Sequence, residues 1–438
     1  VGEEGGQGGD GVKAVVLAAG EGVRLRPLTL TRPKHLLPVG GRPLLEHILL
    51  SLRGAGLDEA VLVVHHMADR IMGYFGDGSE FGLKLEYAHQ PGIRGTADAI
   101  LPAEAHVDRD FLLIYGDLLV TPDAVRQVLQ LHQREKPAVS LAAVPAEHPE
   151  RYGILKLQGN RVVEIVEKPS PEEAAGHPVN AGIYVLPREI FESIRRTEAS
   201  LRGEYELTDS LRLLIREGQV VAAAQIPPEG WLDVGRPWDL LEANRRVLDR
   251  MRPGVLGQVE EGAHLIGPVG VEEGARVRSG AYIEGPALIG GESDIGPNCY
   301  IRPHTSIGGG VRLGNACEVK NSILMDMVHI GHLTYVGDSI VGEGCNLGAG
   351  SITANLRLDE GTVRMRIKGE LVDTEQRKLG VILGDQVKAG INSLFMPGVK
   401  VGPRAWIGPN VVVSRDIPPD SLILLKQEVE ERKRGNRP

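Results

Sequence analysis

Short aliphatic runs and amphipathic stretches alternate over residues 12–252. Lys13-Ala14-Val15-Val16-Leu17, Ala60-Val61-Leu62-Val63-Val64 and Phe111-Leu112-Leu113-Ile114 read as buried strands, while Leu44–Gly54 carries its apolar positions at helical spacing. The alternation predicts an α/β domain on a mostly parallel, Rossmann-like sheet. Residues 239–251 read as its closing helix, ended by Arg252-Pro253-Gly254. Beyond that break the period becomes six. Aliphatic side chains recur at Val259, Leu265, Val271, Val277, Ile283, Ile289, Ile295, Ile301, Ile307, Leu313 and Val319. The register resumes at Ile330 and Val336, shifts at Val341 and Leu347, and returns from Leu383 to Ile407. This is the hexapeptide pattern of a parallel β-helix, in which one side chain in six enters a narrow shaft and stacks on its equivalents one coil away. Gly often follows the aliphatic residue (Gly290, Gly296, Gly308, Gly314, Gly331, Gly384, Gly402, Gly408), where it is expected to permit the corner turn. Residues 356–377, polar and out of register, read as a loop thrown out from the coil. The expected organisation is a disordered leader over 1–11, an α/β domain over 12–252, a β-helix over 253–425 and a charged tail over 426–438.

Composition sharpens this picture. Gly supplies 57 of 438 residues and aromatic side chains only 4%, as a coil with many turns and a narrow shaft requires. The formal charge of −9 excludes a bulk nucleic-acid or anionic-membrane binder, although a local basic pocket for phosphates is compatible with it. No apolar run approaches the length of a membrane span. Cys299, Cys317 and Cys345 are too few and too scattered for a disulfide framework or a structural zinc site, and all three fall on the small fifth position of a hexad. A reducing, cytoplasmic setting fits.

The first strand runs into Leu17-Ala18-Ala19-Gly20-Glu21-Gly22-Val23-Arg24-Leu25-Arg26-Pro27, then Pro33-Lys34 and Leu37-Pro38-Val39. A Gly-rich turn at a strand end lets backbone N–H groups approach a polyphosphate, and Arg24, Arg26 and Lys34 can neutralise it. The stretch satisfies neither the Rossmann nor the Walker pattern. It resembles the sugar-1-phosphate nucleotidylyltransferase family, whose signature reads G-x-G-T/S-R-L/M with a downstream Pro-Lys and Leu-Pro-Val. Val23 departs from that signature by removing a hydroxyl that would contact the phosphates. Further matches follow in the family's order: Gln90 with Gly95-Thr96, Tyr115-Gly116-Asp117, Tyr152-Gly153, Glu167-Lys168-Pro169, Asn180-Ala181-Gly182 and Trp231-Leu232-Asp233-Val234-Gly235. The resemblance assigns Leu17, Ala19, Gly20, Gly22, Gln90, Gly95 and Thr96 to the nucleotide, and Gly153, Glu167, Lys168 and Asn180 to the sugar 1-phosphate. Asp117 and Asp233 would ligate Mg²⁺, and Arg24 and Lys34 would carry catalysis. A sugar-phosphate oxygen then attacks the α-phosphorus of UTP or dTTP in line, with Mg²⁺ and the cations offsetting the charge.

A second polar block interrupts the hexads: His332-Leu333-Thr334-Tyr335-Val336-Gly337-Asp338, then Asn346 to Asn355, with Arg302 and Lys320 upstream. It resembles the acetyltransferase half of the bifunctional N-acetylglucosamine-1-phosphate uridylyltransferase/glucosamine-1-phosphate acetyltransferase family, in an archaeal-like variant with a longer segment after Asn355. The resemblance implies a left-handed coil, acetyl-CoA as cosubstrate, and a homotrimer or dimer of trimers with acetyl sites between subunits. His332 would be the base, since histidine as a residue type suits proton removal from an amine near neutrality. Arg302, Lys320, Tyr335, Asn346, Asn355 and Lys378 would bind the amino-sugar phosphate. The expected function is synthesis of UDP-N-acetylglucosamine from glucosamine 1-phosphate. Two alternatives stand beside it: a glucose-1-phosphate thymidylyl- or uridylyltransferase whose coil only assembles subunits, and a non-catalytic sugar-nucleotide sensor.

Overall fold

The computed structural model describes residues 11–200 and 203–432. The expected leader lies outside them except for Gly11, and so does the end of the charged tail. The chain divides into two compact units, Val1–Leu25 with Arg32–Ala243 and Arg26–Thr31 with Asn244–Pro438. They are a Rossmann-like α/β domain and a left-handed parallel β-helix.

The α/β unit is built on a nine-stranded sheet. Its order is Lys84–His89, Glu59–Val64, Ala14–Ala18, Phe111–Tyr115, Val179–Leu186, Val139–Val144, Val221–Gln225, Arg161–Glu167 and Gly153–Gln158. Seven strands run one way; Val179–Leu186 and Arg161–Glu167 run against them. The central runs are apolar throughout because each strand faces two cores: Val16 and Leu62 enter one, Val15, Val61 and Leu113 the other. The C-terminal ends of the first four strands in this order deliver Gln90, His65, Ala19-Gly20 and Gly116-Asp117 to one edge of the sheet, where ligands of such folds bind. The closing helix spans Pro237–Asp249, starting two residues earlier than expected because Pro237 suits a first helical turn.

In the second unit, successive short strands pass to successive sheets, giving three parallel sheets of eight, nine and eight strands. Each strand pairs with the one a full turn later, as in the ladder Ile283, Ile301, Val319, Val336. The six-residue series fills the shaft: Ile283, Ile289, Ile295, Ile301 and Ile307 are fully buried. The three cysteines form no disulfide and are buried beside it, and desolvation pushes the Cys299 thiol up to about 12, as packed side chains rather than reactive ones.

Two expectations need correction. Most glycines that follow the aliphatic residue do not make the left-handed corner. That conformation falls two positions after the glycine, at Asn298, Ala316, Leu333, Gly350, Asn392 and Asn410 in one column. The glycines are there because coils stack closely: a Cβ on Gly314 would lie 1.9 Å from the Gly331 carbonyl oxygen, and one on Gly290 2.5 Å from the Gly308 carbonyl carbon. Gly314→Ala is therefore expected to destabilise the coil by about 1–3 kcal/mol through overpacking, read as a lower urea midpoint at unchanged slope. The segment 356–377 is not an irregular loop either. Arg364–Ile367 and Glu370–Asp373 pair as an antiparallel hairpin, turned by Lys368 (φ 52°) and Gly369 (φ 88°). The alternation of Val363, Met365 and Ile367, all buried, drives it.

The shift in register also has a location. From Val319 to Leu324 and from Val336 to Val341 the spacing is five, so one corner is a residue short on two successive coils. The hairpin leaves from the same corner on the next coil, closed by a bridge between Leu356 and Lys378.

Candidate functional sites

In the α/β unit, the backbone reverses after Gly20 through Gly22 (φ 64°), whose carbonyl accepts from Leu25 N at 2.9 Å to form the single turn Val23–Leu25. That turn lays the Arg24 guanidinium against Gly235, where a Cβ would lie 3.0 Å from Nη2. Lys34 crosses Gly20, where a Cβ would lie 3.3 Å from Nζ, and donates to Asp117 Oδ2 at 2.6 Å. Gly116 N donates to Leu17 O at 2.9 Å, so the strand leading to Asp117 is tied to the strand that runs into the Gly20–Gly22 turn.

Asp117 and Asp233 come together through a small antiparallel pairing of Leu118–Val120 with Trp231–Asp233. Asp233 is opposite Leu118, and Val234 N donates to Asp117 O at 2.9 Å. Burial pushes the Asp233 carboxyl up to about 6, with the Asp117 charge adding to it and Arg24 opposing it. Burial acts on Asp117 in the same sense, but the Lys34 ammonium and its hydrogen bond overcome it and hold that carboxyl below its ordinary value. Asp239, absent from the sequence reading, accepts from Gly235 N at 3.2 Å and is pushed up to about 7 by burial and then by Asp233. Among the described residues no group of three or more His, Cys, Asp and Glu is placed to hold a metal. Two adjacent carboxylates with a mutual electrostatic cost suit Mg²⁺, which is commonly held by one or two carboxylates plus substrate phosphates.

Gly153, Glu167 and Asn180 also converge. Glu167 pairs with Gly153, where a Cβ would lie 2.7 Å from Glu167 Oε1, and Val179 pairs with Ile154. Asn180 Nδ2 donates to the Tyr184 hydroxyl at 2.7 Å, and Trp231 Nε1 donates to Ala181 O at 2.7 Å, linking the strand of Asn180 to the strand of Asp233. Lys168 is exposed, in the left-handed region at φ 46°. Gln90 is buried. Gly95, at φ 122°, passes so close to Tyr205 that a Cβ would meet its backbone oxygen at 2.3 Å. Thr96 has a structural task the motif did not reveal: its hydroxyl oxygen accepts from Leu207 N at 3.0 Å, at the start of the helix Leu207–Arg216.

On the β-helix the short corner gathers a polar cluster around Asp338, which is 3% exposed. Lys320 Nζ donates to both Asp338 oxygens at 3.2 and 3.1 Å, Asn321 Nδ2 donates to Oδ1 at 2.7 Å, and Asn355 Nδ2 donates to Oδ2 at 2.5 Å. Asn355 Nδ2 also donates to the Tyr335 hydroxyl at 3.1 Å. Arg302, one coil earlier, donates to Glu318 at 3.0 Å. Lys378 is brought beside Asn355 by Leu379 N, which donates to Asn355 O at 3.0 Å. His332 stands at the end of a strand of the second sheet, opposite Asn315, with its carbonyl accepting from Thr334 Oγ1 at 2.8 Å. Its ring has no hydrogen-bond partner among the described residues. Asn346 lies on that second sheet too, paired with His329 and Lys388, outside the contacts that join the Asp338 cluster. Asp338 stood in the quoted polar block without a role and Asn321 was missed; the five-residue spacings that contain them were the available signal.

Residues 13–250 match the nucleotidyl transferase family model, and residues 283–394 match the model described as the GMPPB C-terminal domain. The chain is 43% identical to "Bifunctional protein GlmU" of Methanocaldococcus jannaschii, covering 96% of this chain and 99% of that protein. It is 38% identical to the "Bifunctional sugar-1-phosphate nucleotidylyltransferase/acetyltransferase" of Sulfurisphaera tokodaii, over 93% of this chain and 98% of that one. Among solved structures, a UDP-glucose pyrophosphorylase complexed with UDP-glucose matches with a TM-score of 0.50 and 25% identity, covering 55% of this chain and 99% of that one.

Proposed function

The chain belongs to the family of bifunctional sugar-1-phosphate nucleotidylyltransferase/acetyltransferases, and we propose that it makes UDP-N-acetylglucosamine by acetylating glucosamine 1-phosphate and then uridylylating the product. The observation that favours two activities over a coil that only assembles subunits is the buried carboxylate at 338 with a lysine and two amides aimed at it. A coil that served only to assemble subunits has no use for such a corner, and a packed shaft does not require it.

For nucleotidyl transfer, Gly20 and Gly22 let the backbone approach the triphosphate, while Gln90 and Gly95 hold the base. Gly153, Glu167 and Asn180 hold the sugar, and Lys168 pairs with its phosphate. Asp117 and Asp233 would hold Mg²⁺, which supplies positive charge to the phosphate oxygens when bound. Arg24 and Lys34 stabilise charge on the α-phosphorus and on the departing pyrophosphate as the sugar-phosphate oxygen attacks in line.

For acetyl transfer, Lys320 and Arg302, each held by a carboxylate, grip the 1-phosphate, with Lys378 at the same corner and Asn346 on the adjoining sheet. The amine attacks the thioester carbonyl of acetyl-CoA and His332 takes its proton. Because the Tyr335 oxygen accepts from Asn355, its own proton remains to donate to the developing oxyanion. The C–S bond then breaks and the CoA sulfur leaves, taking up a proton. We further propose assembly as a homotrimer or dimer of trimers, with acetyl sites between subunits, and action in the cytoplasm; no helix among the described residues is long and apolar enough to cross a membrane.

The purified chain is expected to release CoA from acetyl-CoA plus glucosamine 1-phosphate, and pyrophosphate from UTP plus N-acetylglucosamine 1-phosphate in the presence of Mg²⁺. Repeating the assay with dTTP and with glucose and galactosamine 1-phosphates ranks the substrates. Pyrophosphate release from glucose 1-phosphate with no CoA release from any amino sugar would instead establish an assembly-only coil. Absence of both activities would establish the sensor.

A further inference from the structure

Gln90 is held so that only one end of its amide can face a ligand. Its backbone is fixed on both sides: Gln90 N donates to Val64 O at 2.9 Å, and Gln90 O is bonded by His65 Nδ1 at 2.8 Å. Its Nε2 donates to Asp98 Oδ2 at 3.1 Å, and Arg94 donates to the other oxygen, Oδ1, at 2.8 Å. An ionised carboxylate only accepts hydrogen bonds, so Asp98 cannot tolerate the amide turned the other way, with Oε1 toward it. Both side chains are buried, Gln90 at 3% and Asp98 at 6% exposure, where such a clash is not relieved by water. Gln90 Oε1 has no partner among the described residues and is left as an acceptor.

We propose that Asp98 is a specificity-determining positioning residue: it fixes the orientation of the Gln90 amide so that an acceptor oxygen meets the pyrimidine, selecting uracil or thymine over cytosine. This rests on the assignment of Gln90 to the base. Uracil and thymine carry an N3–H that donates to such an oxygen, whereas cytosine presents an N3 lone pair that is repelled by it. Arg94, largely exposed, balances the Asp98 charge through the oxygen that Gln90 does not use.

The test is the ratio of kcat/KM for UTP to that for CTP, with N-acetylglucosamine 1-phosphate as acceptor. Asp98→Asn presents either a donor or an acceptor to Gln90, so the amide can turn and donate to cytosine N3. The UTP:CTP ratio is expected to fall by roughly tenfold or more, the scale of one mispaired polar contact. Arg94→Gln keeps the carboxylate and should keep the ratio within about threefold. Asp98→Ser, smaller and able to donate or accept, serves as a second variant should the asparagine protein not fold. A ratio unchanged in the folded Asp98 variants overturns the proposal. Gln90→Ala separates the two readings: if it leaves the ratio unchanged, the base-reading assignment itself fails. If it changes the ratio while the Asp98 variants do not, only the positioning role of Asp98 fails.

Discussion

Asp117→Asn is expected to lower Mg²⁺-dependent pyrophosphate release by about 10²–10³-fold, the usual cost of losing one electrostatic group aimed at a phosphoryl transition state. The substitution is nearly isosteric, and the Asp117 backbone carbonyl still accepts from Val234 N, so the pairing that brings residues 117 and 233 together survives. What changes is charge. Lys34 loses the carboxylate it touches at 2.6 Å, and the cation site falls from two charges to one. CoA release should stay at the wild-type level because the acetyl site draws on none of these groups. Pyrophosphate release within a few-fold of wild type would remove Asp117 from the reaction, and loss of both activities would point to misfolding instead.

His332→Ala is expected to reduce CoA release by about 10²–10⁴-fold, the range attributed to general acid–base catalysis, with pyrophosphate release unchanged. The coil tolerates this change because the residue's structural bonds are made by its backbone carbonyl, while the ring makes none among the described residues. A CoA rate that survives the substitution would leave the amine proton with another acceptor.

The two predictions differ in how far the residues behind them could be read from sequence. Side-chain period exposed the coil, because a stack of identical turns repeats its buried position with almost no variation. The same logic failed for the hairpin: over Arg364–Asp373 a two-residue period was present, yet it was masked by the flanking charged residues. Strand direction leaves no trace in composition, so nothing announced that Val179–Leu186 and Arg161–Glu167 run against the other seven. Candidate residues were legible wherever they sat inside a local motif, as Asp117 does after Tyr115-Gly116. Their meeting was not, because Asp117 and Asp233 are joined by a strand pairing across more than a hundred residues. Asp98 and Asp338 went unassigned for a different reason. Each lies in or beside a quoted motif, yet only the folded chain shows which amide it meets. The glycines were noticed but misread, since local sequence says that a Cβ is missing without saying what would have struck it.

The coil's hydrogen-bonded rungs act as a ruler. Residues one turn apart in the chain must lie about 4.8 Å apart in space, so Arg302 and Lys320 stand one rung apart, and Asn355 is roughly 14 Å along from Arg302. If these three hold the acceptor as proposed, the length that can touch them all is set by counting turns, and exchanging one side chain for another would alter the grip without altering the measure.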